Sequence, residues 1–195
     1  MMAEVLPKPW ERAPQGPAAQ LSARICGLLP VLETERLRLR APRIEDYPVY
    51  SGFVRDDRGA GLVTGERDRR SWHDFCELVA GWTLRGHGAW TIETLEDGAV
   101  VGVLTIDHEY GDPEPEIGWL VTPAVEGRGF ATEAARVALD WAFGTHGFTS
   151  LVSYIDGENA RSIRVAERLG ARRDAQAEAG LGCRVYRFIA EEARQ

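Results

Sequence analysis

PAVEGRGFATEA, residues 123–134, places two glycines one residue apart, with an arginine between them, where an apolar run gives way to helix formers. EIGWLV (116–121) comes before it and ATEAARVALDWAF (131–143) runs on from it. Glycine costs backbone entropy, so its use here needs a cause. One cause is a turn that only glycine makes; the other is a ligand that approaches the backbone closely. At a strand-to-helix junction the first-turn N–H groups lack intrahelical partners and the helix dipole is positive. The N–H groups from Gly127 to Thr132 are therefore expected to converge on an anion, with Arg128 adding a cation and Thr132 a hydroxyl. The competing reading is a plain turn whose glycines ease packing. No Gly-Lys-Ser/Thr ends the stretch and no third glycine follows, which excludes the Walker loop and the dinucleotide fingerprint.

Apolar spacing sets the elements on either side. LETERLRLRAP (32–42) alternates Leu37 and Leu39 with charged residues, the pattern of a half-buried strand. Glu45 and Asp46 open a helical stretch that Pro48 is expected to interrupt. In DRRSWHDFCELVAGWTLR (68–85), Trp72, Phe75, Leu78, Val79 and Trp82 recur at helical spacing, which predicts an amphipathic helix with these side chains in the core. WTIETL and VVGVLTI flank Glu96-Asp97-Gly98 and predict a hairpin. LVSYI (151–155) reads as a strand, ENARSIRVAERLG (158–170) as a helix closed by Gly170, and CRVYRFIA (183–190) as a last strand. LSARICGLL (21–29) predicts a short helix ended by Pro30, and residues 1 to about 20 a poorly ordered arm. The expected division is an arm over 1–30 and one domain over 31–195. The order β-α-α-β-β-β-α-β-α-β defines a single mixed sheet with helices on its faces, an α/β (α+β) fold.

The 195 residues suffice for a sizeable core, and 44% hydrophobic with 27% charged is the balance of a soluble globular chain. A net charge of −7 argues against nucleic acid, which selects basic surfaces, and mildly favours a cationic partner. Cys26, Cys76 and Cys183 form no C-x-x-C pair, and His73, His87, His108 and His146 are scattered. Neither a disulfide framework nor a metal site is expected. No apolar run nears the roughly 18 residues of a membrane span. The start, MMAEVLPKPWERAPQGPAAQ, lacks the basic segment and apolar block of a secretory signal. A reducing cytoplasm is the expected setting.

EIGWLVTPAVEGRGFATEAA, followed by NARSIRVAERLGA, resembles the acyl-coenzyme A N-acetyltransferases of the GNAT superfamily. It is most similar to the branch that includes the ribosomal-protein N-terminal acetyltransferases, whose first strand and helix ETERLRLRAPRIEDY (33–47) also resembles. The resemblance covers residues 31–190. Its core motif, Arg/Gln-x-x-Gly-x-Gly/Ala, falls on residues 126–131, with Glu126 in place of the Arg or Gln. A carboxylate facing a pyrophosphate is unfavourable, so Glu126 is expected to turn away from it. The resemblance implies a mostly antiparallel sheet in which the strand EIGWLV splays from LVSYI and the pantetheine arm of acetyl-coenzyme A lies in the gap. Leu120 and Val121 would pair with the pantetheine amides. Gly127, Arg128, Gly129, Phe130, Ala131 and Thr132 would cradle the pyrophosphate. Asn159 would contact the cofactor, a role that coexists with capping its helix. No metal is implied.

Acetyl transfer to an amine needs a neutral nucleophile, and a lysine-type amine has a reference pKa near ~10.4, so a base must take a proton. The resemblance puts Glu116 at the position of that base, where Pro115 and Ile117 are expected to desolvate it and raise its pKa. The alternative is a solvated strand-end carboxylate, with Asp107 and Glu109 as fallback bases. Many family members carry a Tyr in the helix after the Asn to assist the leaving thiolate; here that position is Ala166. By similarity to the branch the task falls to Ser162, against a simple helix-capping role. Trp90, Tyr110 and Trp119 are candidates for lining an acceptor pocket, with the loops over 54–67 and 107–115 around it. The resemblance thus implies transfer of acetyl from acetyl-coenzyme A to a primary amine, a protein N-terminus or a small molecule, by direct attack in a ternary complex. A non-catalytic acyl-coenzyme A binding module and an unrelated anion-binding domain are the alternatives. Self-association as a homodimer is left open.

Overall fold

Leu37 and Leu39, alternating with arginines, are both fully buried in a strand, β2 (Leu37–Arg40). A computed structural model describes this strand within residues 8–55 and 67–190. β2 pairs antiparallel with the short β1 (Leu32–Glu33) on one side and with β3 (Ala89–Thr94) on the other. The hairpin joins β3 to β4 (Val100–Asp107), with Gly98 at φ 70° in its turn, and β4 pairs with β5 (Glu116–Val121). β6 (Ser150–Ile155), β7 (Arg172–Arg173) and β8 (Arg184–Ile189) complete the sheet in the order β1-β2-β3-β4-β5-β6-β8-β7. Every pairing is antiparallel except β5 with β6. β7 was not foreseen, because two residues carry no periodicity.

Helices cover both faces of the sheet. On one face α2 (Tyr47–Arg55) and α3 (Arg67–Leu84) bury Tyr47, Tyr50, Phe75 and Leu78 against Ala89 and Val103. On the other, α4 (Phe130–Trp141) and α5 (Ala160–Arg168) close over Leu37, Leu39, Ile92, Leu104, Ile106 and Ile117. Pro48 does not interrupt α2: it lies in the first turn, where its missing N–H bonds nothing in any case. Asp46, just ahead, receives the Arg40 guanidinium at 2.8 and 3.0 Å and the Thr91 hydroxyl at 2.7 Å, which fixes the start of α2 to β2 and β3. The first helix, α1 (Gly16–Cys26), begins five residues before the leucine expected to open it, because Pro17 sits in its first turn and alanines follow.

Candidate active site

β5 and β6 share a single rung, Glu116 opposite Val152, where the Val152 N–H donates to Pro115 O at 3.1 Å. Beyond it the strands part. The buried Ser153 hydroxyl donates to Ile117 O, and the Tyr154 N–H donates to the Glu116 carboxylate at 3.2 Å, so side chains replace the next ladder bonds. The Pro115 and Ile117 carbonyls therefore face β6. In contrast, the Thr122 N–H donates to Val101 O in β4 at 2.8 Å, and Leu120 O lies 2.4 Å from where a Cβ on Gly102 would stand. By strand alternation the backbone of Trp119 and Val121 faces the gap and that of Leu120 is committed to β4. The Leu120 backbone, expected to pair with a ligand, is thus taken up by β4, and Leu120 reaches the cleft through its half-exposed side chain.

The glycine turn answers the question its sequence poses. Gly127 has φ 77° and Gly129 φ 81°, the left-handed region, so the turn itself demands both. Gly129 is also the N-cap of α4, and being glycine it offers no side chain to cap the helix. The Arg128 N–H is spent on Val125 O at 3.2 Å, whereas those of Gly127, Gly129, Phe130, Ala131 and Thr132 donate to no described residue. The Arg128 side chain departs from expectation. Its guanidinium lies 4.7 Å from the Phe130 ring centroid and does not line the cleft. Arg36 contacts the same ring at 4.7 Å, holds Glu133 through Nε at 2.7 Å, and donates to Arg128 O at 3.1 Å, so the turn is clamped from behind.

A cleft of about 280 Å³ opens between the parted strands and the starts of α4 and α5. It gathers Leu120, Val121, Gly127, Gly129, Phe130, Ala131, Thr132, Asn159 and Ser162, together with Trp119. Glu126 also lines it rather than turning away, with its charge met by Arg161 at 2.5 Å. Arg161, Arg164 and Arg168 stand on the α5 flank. The sequence reading passed over these arginines, although their three- and four-residue spacing put them on one helix face. Asn159 Oδ1 accepts the Ser162 N–H at 3.1 Å, so Asn159 is the helix cap and the Ser162 hydroxyl is left out of capping. Ala166 is fully buried.

Glu116 and Arg128 are the expected site residues outside the cleft lining. Glu116 stands at the opposite end of β5 from the glycine turn, about 17 Å along an extended strand at ~3.3 Å per residue. Burial pushes its carboxyl up to about 8, with Asp112, Glu109 and Asp107 adding to the rise and the Tyr154 N–H opposing it. Asp107 is buried and receives Arg85 at 3.1 Å, while Glu109 is exposed. Trp90 does not line a pocket: it is fully buried, donates to Pro30 O at 2.9 Å, and packs edge-on against Trp82 and Trp141. Tyr110 is fully exposed, leaving Trp119 in the cleft. Most of the expected loop over 54–67 lies outside the described residues. Among the described residues no three His, Cys, Asp or Glu side chains come together to hold a metal, and no helix is long and apolar enough to cross a membrane.

A mixed sheet that parts around one rung, with a glycine-capped helix facing the opening, defines a transferase fold with known relatives. Residues 36–172 match the acetyltransferase (GNAT) domain family, and the chain belongs to that family. An acetyltransferase structure from Agrobacterium tumefaciens str. C58 is 39% identical, with a TM-score of 0.76 over 82% of this chain and 94% of that one. The Bacillus subtilis (strain 168) protein YkkB is 31% identical over 147 residues, 71% of this chain and 83% of its own length. RimL, a ribosomal-protein α-N-acetyltransferase solved in complex with coenzyme A, shares the fold at 17% identity, with a TM-score of 0.62 over 83% of this chain and 99% of that one. The protein is an acetyltransferase that acts on an amine.

Proposed function

We propose that the acetyl donor is acetyl-coenzyme A and that a primary amine attacks it directly while both are bound. The observation that carries this reading is the row of uncommitted N–H groups at Gly127 and from Gly129 to Thr132, at the positive end of α4. A pyrophosphate fits that chemistry, and Arg164 and Arg168 would add cations beside it. The backbone of Trp119 and Val121, left without a strand partner, would pair with the amides of an extended arm that reaches from the turn toward Glu116. When bound, acetyl-coenzyme A supplies the activated acetyl thioester. Glu116, with a carboxyl near 8, would take the proton that an ammonium must lose before it attacks. Free cysteines at positions 26, 76 and 183 fit a cytoplasmic setting. The test is thiol release from acetyl-coenzyme A in the presence of an amine panel, with calorimetry of coenzyme A alone. Binding without thiol release for any amine would overturn the catalytic part of the proposal.

Ser162 would donate its hydroxyl to the thioester sulfur as negative charge develops there. That contact is stronger in the transition state, so Ser162→Ala should lower kcat by roughly tenfold or more, with coenzyme A affinity almost unchanged. Because Asn159 already caps the helix, the melting temperature of Ser162→Ala should hardly move. Asn159→Ala, in contrast, should lose about 1 kcal/mol of stability. Turnover and melting measured on both variants check the division, and an intact kcat in Ser162→Ala would remove the hydroxyl from the reaction.

A further inference from the structure

Carboxylates gather on the α3 side of Glu116 in a way the transfer reaction by itself does not require. Asp107, the last residue of β4, is directly opposite Glu116 in the β4–β5 register, so the two side chains share one face of the sheet. Glu109 and Asp112 follow in the loop between these strands, where the Glu109 N–H donates to the Asp112 carboxylate at 3.2 Å. Asp74 and Glu77 face them from α3. Asp107, Asp112, Asp74 and Glu77 all act on Glu109, and Asp107, Glu109 and Asp112 all act on Glu116. Burial first, and then these neighbours, hold the Glu116 carboxyl above its ordinary range. The row is graded in depth: Glu77 and Glu109 are exposed, Asp74 and Asp112 half-buried, and Asp107 only 4% exposed.

A row of like charges is costly unless something positive completes it. Among the described residues the cations and histidines that meet it are few, and one is His108 of the same loop, its Nε2 3.0 Å from Asp112 O. Arg85 binds Asp107 Oδ1 at 3.1 Å, Arg70 and His73 act on Asp74, and the buried His87 lies near Asp107 with its proton affinity lowered by burial. Asp107 Oδ2, in contrast, is buried with no hydrogen-bond partner among the described residues. Asp107 lies close enough to Tyr50, Glu109 and Glu116 for its charge to be felt at all three. A buried carboxylate oxygen without a donor points to a donor that arrives with a ligand.

We infer that this row receives a second ammonium of the acceptor, so that the amine substrate is an aliphatic diamine or polyamine. The inference rests on the reading that Glu116 serves an attacking amine. Asp107 is only 4% exposed, so the group that meets it would be a slender one rather than the folded surface of a protein. One ammonium would meet Asp107 and its neighbours while the other, a few methylenes away, is presented to Glu116.

The experiment compares butylamine, 1,4-diaminobutane and a neutral tripeptide with a free N-terminus as acceptors for the full chain with acetyl-coenzyme A. The kcat/KM for 1,4-diaminobutane should exceed that for butylamine by about tenfold to a hundredfold, the range of one or two charge-assisted contacts. This preference should shrink as salt is added, since the rim of the row is exposed. Asp74→Asn and Glu109→Gln should each reduce the preference by about tenfold, through KM for the diamine. Calorimetry of 1,4-diaminobutane on the coenzyme A-loaded protein should show binding weakened in both variants. Equal kcat/KM for butylamine and 1,4-diaminobutane, or a better rate with the tripeptide, would overturn the inference and leave the acetyl transfer reading in place. Turnover of no amine, with coenzyme A still bound, would overturn that reading and the inference with it.

Discussion

Glu116→Gln is expected to slow acetyl transfer by on the order of 100- to 10,000-fold at neutral pH and, at the same time, to make the protein more stable in alkali. The two effects share one cause. In the native state the carboxyl holds its proton up to about 8, whereas its ordinary value is 4.5. The native state thus binds the proton more tightly than the unfolded chain. Its stability is complete below about 4.5 and declines as pH rises through 8, because a charge must then be carried in a buried place. Glutamine keeps an acceptor for the Tyr154 N–H and never ionises. Unfolding free energies of variant and parent should therefore lie close together at pH 5 and separate at pH 9, by roughly 2–4 kcal/mol in the variant's favour at ~1.4 kcal/mol per unit, as denaturant titration would read. The rates should behave in the opposite sense. About one Glu116 in ten is ionised one unit below its pKa, so parental kcat/KM should climb toward pH 8 and above. The variant's deficit should shrink as the amine loses its proton unaided. A small deficit that is flat across pH would leave Glu116 with only its strand-bridging hydrogen bond.

Gly129→Ala is expected to weaken coenzyme A binding about tenfold to a hundredfold, the range for losing one or two charge-assisted contacts. The substitution also strains the turn, because φ at Gly129 is 81°. Gly170→Ala separates the two effects. Gly170 closes α5 at φ 87°, with nothing within 4 Å of an added Cβ, and does not line the cleft. Each variant should lose roughly 1–2 kcal/mol of stability to left-handed backbone strain, but the Gly170 variant should bind coenzyme A as the parent does. Calorimetry and melting on the pair decide the matter. Equal affinity in Gly129→Ala would remove the phosphate from this turn.

Apolar patterning and turn residues made the longer strands and helices legible from Leu37 onward, whereas β7, two exposed arginines, carried no such signal. The same local signals misjudged Pro48, because a proline breaks a helix interior but suits its first turn, and only the true start of α2 separates the two. The glycine turn was legible as a strand-to-helix junction with unpaired first-turn N–H groups; the direction of Arg128 was not. Its guanidinium lies over Phe130, a ring that Arg36, in the turn between β1 and β2, also contacts. Glu126 misled for a similar reason, as its partner Arg161 lies 35 residues on. Which way the Leu120 backbone points was not legible either, since strand register is set by the β4 pairing and a one-residue step reverses it. Asp107 appeared in the sequence as one more spare carboxylate. Its bare buried oxygen exists only once β4, α3 and the loop before β5 are folded together.

The single rung between β5 and β6 also bears on how the molecule holds together. In the described residues it is the backbone ladder's one link between the strands up to residue 121 and the group β6, β8 and β7. Side chains supplement it, among them Arg187 on Glu114 at 2.7 Å and Ser153 on Ile117. A ligand lying along both open edges would act as a missing strand and splice the halves into one sheet. Amide protons of β6 and β8 should then exchange with solvent faster than those of β3 and β4 in the empty protein, and slow selectively when coenzyme A is added. Binding of this kind ties resistance to unfolding and proteolysis to free cofactor, growing with the logarithm of its concentration above Kd. The lifetime of the enzyme would then follow the acetyl-donor supply of the cell that makes it.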